Sequence, residues 1–192
     1  MNKSLKFIEN QLEQSADTLE TMVNACSHDI EKAAQLIFEA VKGGRKVLWC
    51  GNGGSAAQAQ HLSTELVGGL RNHHRPPIPS ISLTTDSSLL TAWSNDISFE
   101  TVFSRQIEAV GREGDILIAI STSGNSINIV KAVKTARKKG LKMIILTGKE
   151  GGWLKDLGDV VIRIPSSDTQ RVQEGHITAG HIICELVEKN FL

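Results

Sequence analysis

Two segments of this chain crowd glycine with hydroxyl and amide side chains, a composition suited to holding an anion. Gly51-Asn52-Gly53-Gly54-Ser55 follows one short apolar run, and Ser121-Thr122-Ser123-Gly124-Asn125-Ser126 follows another. Glycine lets backbone N–H groups approach a ligand closely, and a helix beginning in such a loop adds uncapped donors and the positive end of its dipole. The first loop alone is weak evidence. It reads equally as a tight strand-to-helix turn, and as a dinucleotide fingerprint it lacks the third glycine and the acidic residue ~20 positions on. The second loop sharpens the reading. Five of its six residues carry hydroxyls or amides, whereas capping a helix needs only one. No lysine stands in either loop and no G-x-x-x-x-G-K-[ST] occurs in the chain, so phosphate-ester binding without triphosphate hydrolysis is expected.

Proton-transfer and metal-ligating side chains appear in two further places. His61 and Glu65 stand four apart on the helix expected after the first loop and share one face; that spacing describes a surface pair as well as a site. Near the C-terminus, Gln173, Glu174, His176 and His181 interrupt the apolar Ile177, Ile182, Ile183, Leu186 and Val187. Polar groups on such a helix need partners, and satisfied core or interface histidines would be the ordinary explanation. Cys26, Cys50 and Cys184 are odd in number and widely spaced, without a C-x-x-C pair. They suggest neither a disulfide framework nor a cysteine zinc site.

These residues must be positioned by elements whose periods are legible. Leu5, Ile8, Leu12, Leu19 and Val23 recur at helical spacing, with Ala16 in the gap. A second helix is expected after Ser27 as N-cap, with Ile30, Ala34, Ile37, Phe38 and Val41 on one side and Gly43-Gly44 ending it. Short apolar runs follow at 46–50, 80–83, 116–120, 143–146 and 160–164. Helix-period segments separate them at 56–67, 87–93, 99–110 and 127–139, with a last one at 170–191. Strands rich in Val, Ile and Leu that alternate with helices imply a parallel sheet covered on both faces. The expectation is one α/β domain over 1–192: a doubly wound five-stranded parallel sheet flanked by helices, preceded by an N-terminal helical hairpin over 1–44. Ligands on such sheets bind beyond the carboxyl ends of the strands, where both glycine-hydroxyl loops fall.

Composition excludes other classes. Lys+Arg and Asp+Glu are both 21, so nothing favours a nucleic-acid partner. The longest apolar runs are strand-sized and too short for a membrane span. Met1-Asn2-Lys3-Ser4-Leu5-Lys6 leads to Glu9 and Glu13 without an apolar stretch; no signal peptide is expected, and a cytoplasmic location is.

Cys50 through Ser55, together with Ile120 through Ser126, resembles the SIS (sugar isomerase) family, and in particular its phosphoheptose isomerases. The resemblance extends through Thr91-Ala92-Trp93-Ser94-Asn95-Asp96, through 108–115 and through Leu146-Thr147-Gly148. It implies phosphate and hydroxyl contacts from Asn52, Gly53, Gly54, Ser121, Thr122, Ser123 and Ser126, with Ser55 an additional contact and Asn95 and Asp96 near the sugar. Arg171-Val172-Gln173-Glu174-x-His176 followed by His181 resembles the family's last helix, as His61-x-x-x-Glu65 resembles an earlier one. This implies one zinc per subunit held by His61, Glu65, Gln173 and His181, an acceptable donor set although Gln is a rare ligand. The implied reaction converts D-sedoheptulose 7-phosphate into a heptose 7-phosphate through an enediol, with Glu65 as base, His181 as acid and Gln173 also near substrate. The implied assembly is a homotetramer that uses the N-terminal helices. Gly175 and Gly180, each costing about 1 kcal/mol of helix propensity against Ala, are expected at close helix packing between subunits.

The chain departs from the family pattern in places. The family usually has an Arg shortly after Glu65, where this chain reads Val67-Gly68-Gly69-Leu70-Arg71; Arg71 and Arg75 are the candidates to replace it. His73-His74 lies in a slightly long loop and suits a solvated tip better than a metal site. Trp93 stands where a small apolar residue is usual, either narrowing a sugar pocket or packing. The alternative reading is a non-catalytic SIS protein that binds the bacterial replication initiator or senses a sugar phosphate. Such relatives lack the full His61, Glu65, Gln173 and His181 set.

Overall fold

A computed structural model describes residues 3–191; Met1, Asn2 and Leu192 lie outside the described residues. Five strands form one all-parallel sheet in the order β2-β1-β3-β4-β5. They are β1 (Val47–Gly51), β2 (Ser80–Ser82), β3 (Ile116–Ser121), β4 (Lys142–Thr147) and β5 (Val160–Arg163). The central strands are buried along their length, as strands covered on both faces must be.

Alternation along each strand splits the apolar side chains between two cores. Val47, Trp49, Ile116, Ile118, Ile120, Ile144 and Leu146 face α1 (Lys3–Lys42), α2 (Gly54–Gly68) and α6 (Thr169–Lys189). Leu48, Cys50, Leu117, Ala119, Met143 and Ile145 face α4 (Val102–Val110) and α5 (Ile127–Lys138), with α3 (Ser87–Asp96) at the margin. Each fully buried Leu or Ile contributes about 1.5–3 kcal/mol through the water-exposed surface it removes. Trp93 packs at that margin: its indole Nε1 donates to Thr101 Oγ1 at 2.9 Å, and the Arg105 guanidinium lies 4.9 Å from its ring centre.

The expected N-terminal hairpin is corrected by the structure. α1 is one unbroken helix of 40 residues, about 60 Å long. Ser27 does not start a second helix; its hydroxyl bonds back to Val23 O at 2.6 Å, as Thr18 and Thr21 bond to Gln14 O and Asp17 O. A serine that satisfies its hydroxyl in this way sits inside a helix without ending it, and no Gly or Pro interrupts 3–42. Gly44, at φ 74°, makes the stop.

The two glycines of α6 are also corrected, because their close packing lies within the chain. A Cβ on Gly175 would meet Ile164 Cγ2 at 2.7 Å and Met22 Sδ at 3.0 Å, and one on Gly180 would land on Leu62. Among the described residues no helix is long and apolar enough to cross a membrane.

Candidate active site

The strand order changes direction between β1 and β3: the chain leaves β1 toward β2 on one side and returns to β3 on the other. In an open parallel sheet, the crevice beyond the carboxyl ends at such a point is where ligands bind. The two strands pair up to Gly51↔Ile120, and the loops that leave them are the two glycine-hydroxyl segments.

The first loop turns on Gly53, at φ 54°. A side chain at Gly51 is barred because its Cβ would come within 2.5 Å of Ser55 O. α2 then begins without a side-chain cap, and so does α5 after the second loop, where Ser126 is the N-cap. By contrast, α3 and α6 are capped by Asp86 and Asp168. The helix starts at the crevice therefore keep N–H donors for an anion. Ser121 Oγ and Ser126 Oγ are 3.1 Å apart. Ser123 is exposed, with its Oγ accepting from Asn125 N at 3.2 Å. Thr122 fixes the loop from beneath, its carbonyl accepting from Gly148 N at 2.9 Å.

Asn52 pairs reciprocally with Asn128, each amide donating to the other's oxygen at 2.8–2.9 Å. This pair ties the two loops together. Asn128 was not among the residues expected at the site, although a buried amide between Ile127 and Ile129 was a signal that could have flagged it. Ser55 is buried at the start of α2. Asn95 and Asp96 are exposed at the end of α3 and bond each other at 2.8 Å. No hydrogen bond among the described residues joins them to the loops.

α2 and α6 lie side by side and bring three candidate ligands together. His61 Nε2 is 2.7 Å from His181 Nε2 and 3.5 Å from Glu65 Oε1. One ligand atom from each of the three lies within 4.8 Å of the others. The rings meet edge to face, with centroids 5.0 Å apart. Two ring nitrogens at 2.7 Å need one donor and one bare acceptor. A tetrahedral zinc with bonds near 2.0–2.1 Å sets its donors about 3.4 Å apart, so the set fits that ion after a small opening of the His–His contact. Gln173 is placed differently. A Cβ on Gly54 would sit 2.7 Å from its Nε2, and its carbonyl accepts from Gln58 Nε2 at 2.8 Å. Its amide thus lies at the first loop, and its backbone is about 12 Å of helix rise from that of His181.

Of the two candidate arginines, Arg71 reaches Glu185 at 3.4 Å on the surface. Arg75 is buried against Glu188 at 2.8 Å, with its guanidinium engaged inside the chain. His73 and His74 are exposed, with His73 Nδ1 3.2 Å from Gly68 O. The cysteines are buried, and burial pushes the Cys26 thiol up to about 11 and Cys50 up to about 12. Thiols held protonated in this way are not nucleophiles.

Residues 11–148 match the sequence model of the SIS domain family. A phosphoheptose isomerase of Akkermansia muciniphila is 47% identical over 184 residues, spanning 96% of each chain. A solved phosphoheptose isomerase structure from Francisella tularensis superposes with a TM-score of 0.94 at 37% identity, covering 97% of this chain and 99% of that one. Another, from Neisseria gonorrhoeae, gives 0.91 at 36% identity, with coverage of 97% and 100%.

Proposed function

The chain belongs to the phosphoheptose isomerases of the SIS-domain family, and from that premise we propose that it converts D-sedoheptulose 7-phosphate into D-glycero-D-manno-heptose 7-phosphate, with Glu65 as base and His181 as acid. The observation that carries this reading is the convergence of His61, Glu65 and His181, from two helices, within 4.8 Å. One of those helices starts in an uncapped glycine loop.

The chemistry has three needs: a base for a carbon-bound proton, an acid for the carbonyl oxygen, and stabilisation of developing negative charge. Glu65 takes the proton from C1 while His181 protonates the oxygen on C2, giving the enediol. Glu65 then returns the proton to C2 and His181 recovers one from the oxygen on C1, leaving the aldose with both residues restored. The substrate phosphate is held by the backbone donors of Gly53 and Gly54 and by Ser55, Ser121, Thr122, Ser123 and Ser126. Asn52 holds the loops in register through Asn128. Asn95, Asp96 and Gln173 complete the sugar contacts.

His61, Glu65 and His181 would hold one zinc per subunit; for Gln173 to be the fourth protein donor, its amide would have to swing from Gly54 toward them. When bound, the ion would polarise the substrate's C1 and C2 oxygens. The product would enter heptose synthesis for surface polysaccharide in the cytoplasm, and the working assembly would be a homotetramer.

The test is direct. Purified protein is incubated with D-sedoheptulose 7-phosphate and the heptose 7-phosphate is followed by NMR. Turnover that a chelator removes and zinc restores is the expected result. Binding without turnover, in folded and metal-loaded protein, would make it a sugar-phosphate sensor instead.

A further inference from the structure

The turn that follows α2 is tied to α6 by buried charges that the proposed chemistry does not use. Arg75 and Glu188 have side chains only 1% and 2% exposed, and Arg75 Nε donates to Glu188 Oε2 at 2.8 Å. The same carboxylate accepts from three successive backbone donors, Leu70 N at 2.9 Å, Arg71 N at 2.8 Å and Asn72 N at 3.0 Å. The guanidinium also donates through Nη1 to Pro76 O and through Nη2 to Glu65 O, both at 2.9 Å. One of its anchors is therefore the backbone of the proposed base.

We propose that Arg75 and Glu188 are positioning residues that lock α2 against α6 in the register that brings His61, Glu65 and His181 together. Glu188 follows His181 by seven residues, on the same face of α6 and about 10 Å further along it. Arg75 grips the last turn of α2 at Glu65, one turn beyond His61. The clamp thus holds each helix within two turns of the cluster. If α2 slides against α6, the 2.7 Å His61–His181 separation changes with it. Misplacement of reacting groups by about 1 Å can cost ~100-fold in rate.

A buried ion pair is a costly way to gain stability alone, since apolar residues of similar volume often do as well or better. What the pair supplies is geometry. The planar fork of Arg75 reaches a carboxylate and two carbonyls at once, and no lysine ammonium can copy that pattern.

This inference rests on the functional reading above, and its test separates the two. Arg75→Lys keeps the charge beside Glu188 but loses the fork. In protein shown to be folded at the assay temperature by circular dichroism, kcat should fall about tenfold or more, in the range seen when the supports of metal ligands are lost. KM should stay within about twofold, because the phosphate loops are untouched. With cobalt(II) as the metal probe, its visible bands should shift and its affinity should drop by about tenfold. A merely structural role would lower the melting temperature and leave kcat and the cobalt spectrum of the folded protein at wild-type values; that result would overturn the clamp. Should Arg75→Lys not fold, Glu188→Asp keeps both acceptor oxygens but draws them back from Arg75 and the turn by one methylene, and it carries the same expectations and the same overturning result. Wild-type protein that neither isomerises the sugar phosphate nor binds cobalt would overturn the functional reading instead.

Discussion

Glu65 is asked to do two things that compete. A carboxylate held firmly by a metal is a poor base, yet its Oε1 lies 3.5 Å from His61 Nε2 and inside the one His/Asp/Glu/Cys group among the described residues that could hold an ion. Glu65→Gln keeps the shape and removes the proton acceptor. Its kcat should fall by at least the 10²–10⁴ typical of general acid–base groups, while calorimetry still detects sugar-phosphate binding; an active Glu65→Gln would exclude Glu65 as the base. His176 makes a different prediction. It is fully buried, neither ring nitrogen has a hydrogen-bond partner among the described residues, and burial pulls its pKa down from 6.5 to about 4 against an opposing pull from the nearby Thr147 backbone. The unfolded chain takes up this proton below pH 6.5 and the folded chain only near pH 4. Its contribution to stability is therefore complete above pH 6.5 and is lost as the pH falls toward 4, amounting to about 3 kcal/mol. Urea unfolding of wild type and His176→Phe between pH 7.5 and 4.5 measures it. The variant should lose less stability across that window, and parallel pH profiles would contradict the assignment.

At the scale of elements, the approach of α2 to α6 decides how the site is built. Gly180 permits it: a Cβ there would come 2.8 Å from Leu62 Cδ2 and nearer still to Cδ1. Gly180→Ala gains up to about 1 kcal/mol of helix propensity but incurs about 1–3 kcal/mol of overpacking. A net loss of up to about 2 kcal/mol in urea unfolding at unchanged m-value is expected, with lower kcat because His181 is the next residue; a stabilised, fully active variant would show that the helices have room to spare. Much of this architecture was legible beforehand. The five strands announce themselves as continuous Val/Ile/Leu runs because both faces of the sheet are covered. The two loops announce themselves because glycine and hydroxyls crowd where an ordinary turn needs neither. What was not legible depends on choices that local sequence leaves open. Ser27 suits a cap or a helix interior equally, so a hairpin and one long helix looked alike. The packing of Gly175 on Met22 and of Gly180 on Leu62, the Asn52–Asn128 pair and the Arg75–Glu188 clamp join residues 76 to 153 positions apart, and no period or motif encodes such partners. The side-chain amide of Gln173, grouped with the metal ligands by resemblance, lies against Gly54 for the same reason: its position follows from how α6 meets the first loop.

For the molecule as a whole, the first half of α1 is the feature a lone chain does not explain. Leu5, Phe7, Ile8 and Leu12 are 47–66% exposed, although a helix of this length in a monomer would be expected to turn such residues inward. Arg171 Nη1 donates to Gln11 O at 2.7 Å and Ser15 Oγ to Glu174 Oε2 at 2.8 Å, yet these apolar residues stay exposed beside such contacts. Leu5, Ile8 and Leu12 share one stripe of the helix, with Phe7 on another side; exposed apolar groups clustered in this way mark an association surface, and pairing with the same stripe on a second copy would bury it symmetrically. Light scattering on purified protein should therefore report an oligomer, a tetramer on the proposed reading. The double variant Ile8→Glu, Leu12→Glu should shift it to smaller species. The same helix contacts α6 through Arg171 and Glu174, which flank Gln173, so dissociation should also raise KM. A variant that stays fully assembled would rule out this stripe as the contact. One that dissociates with unchanged kinetics would show that each subunit holds a complete site by itself.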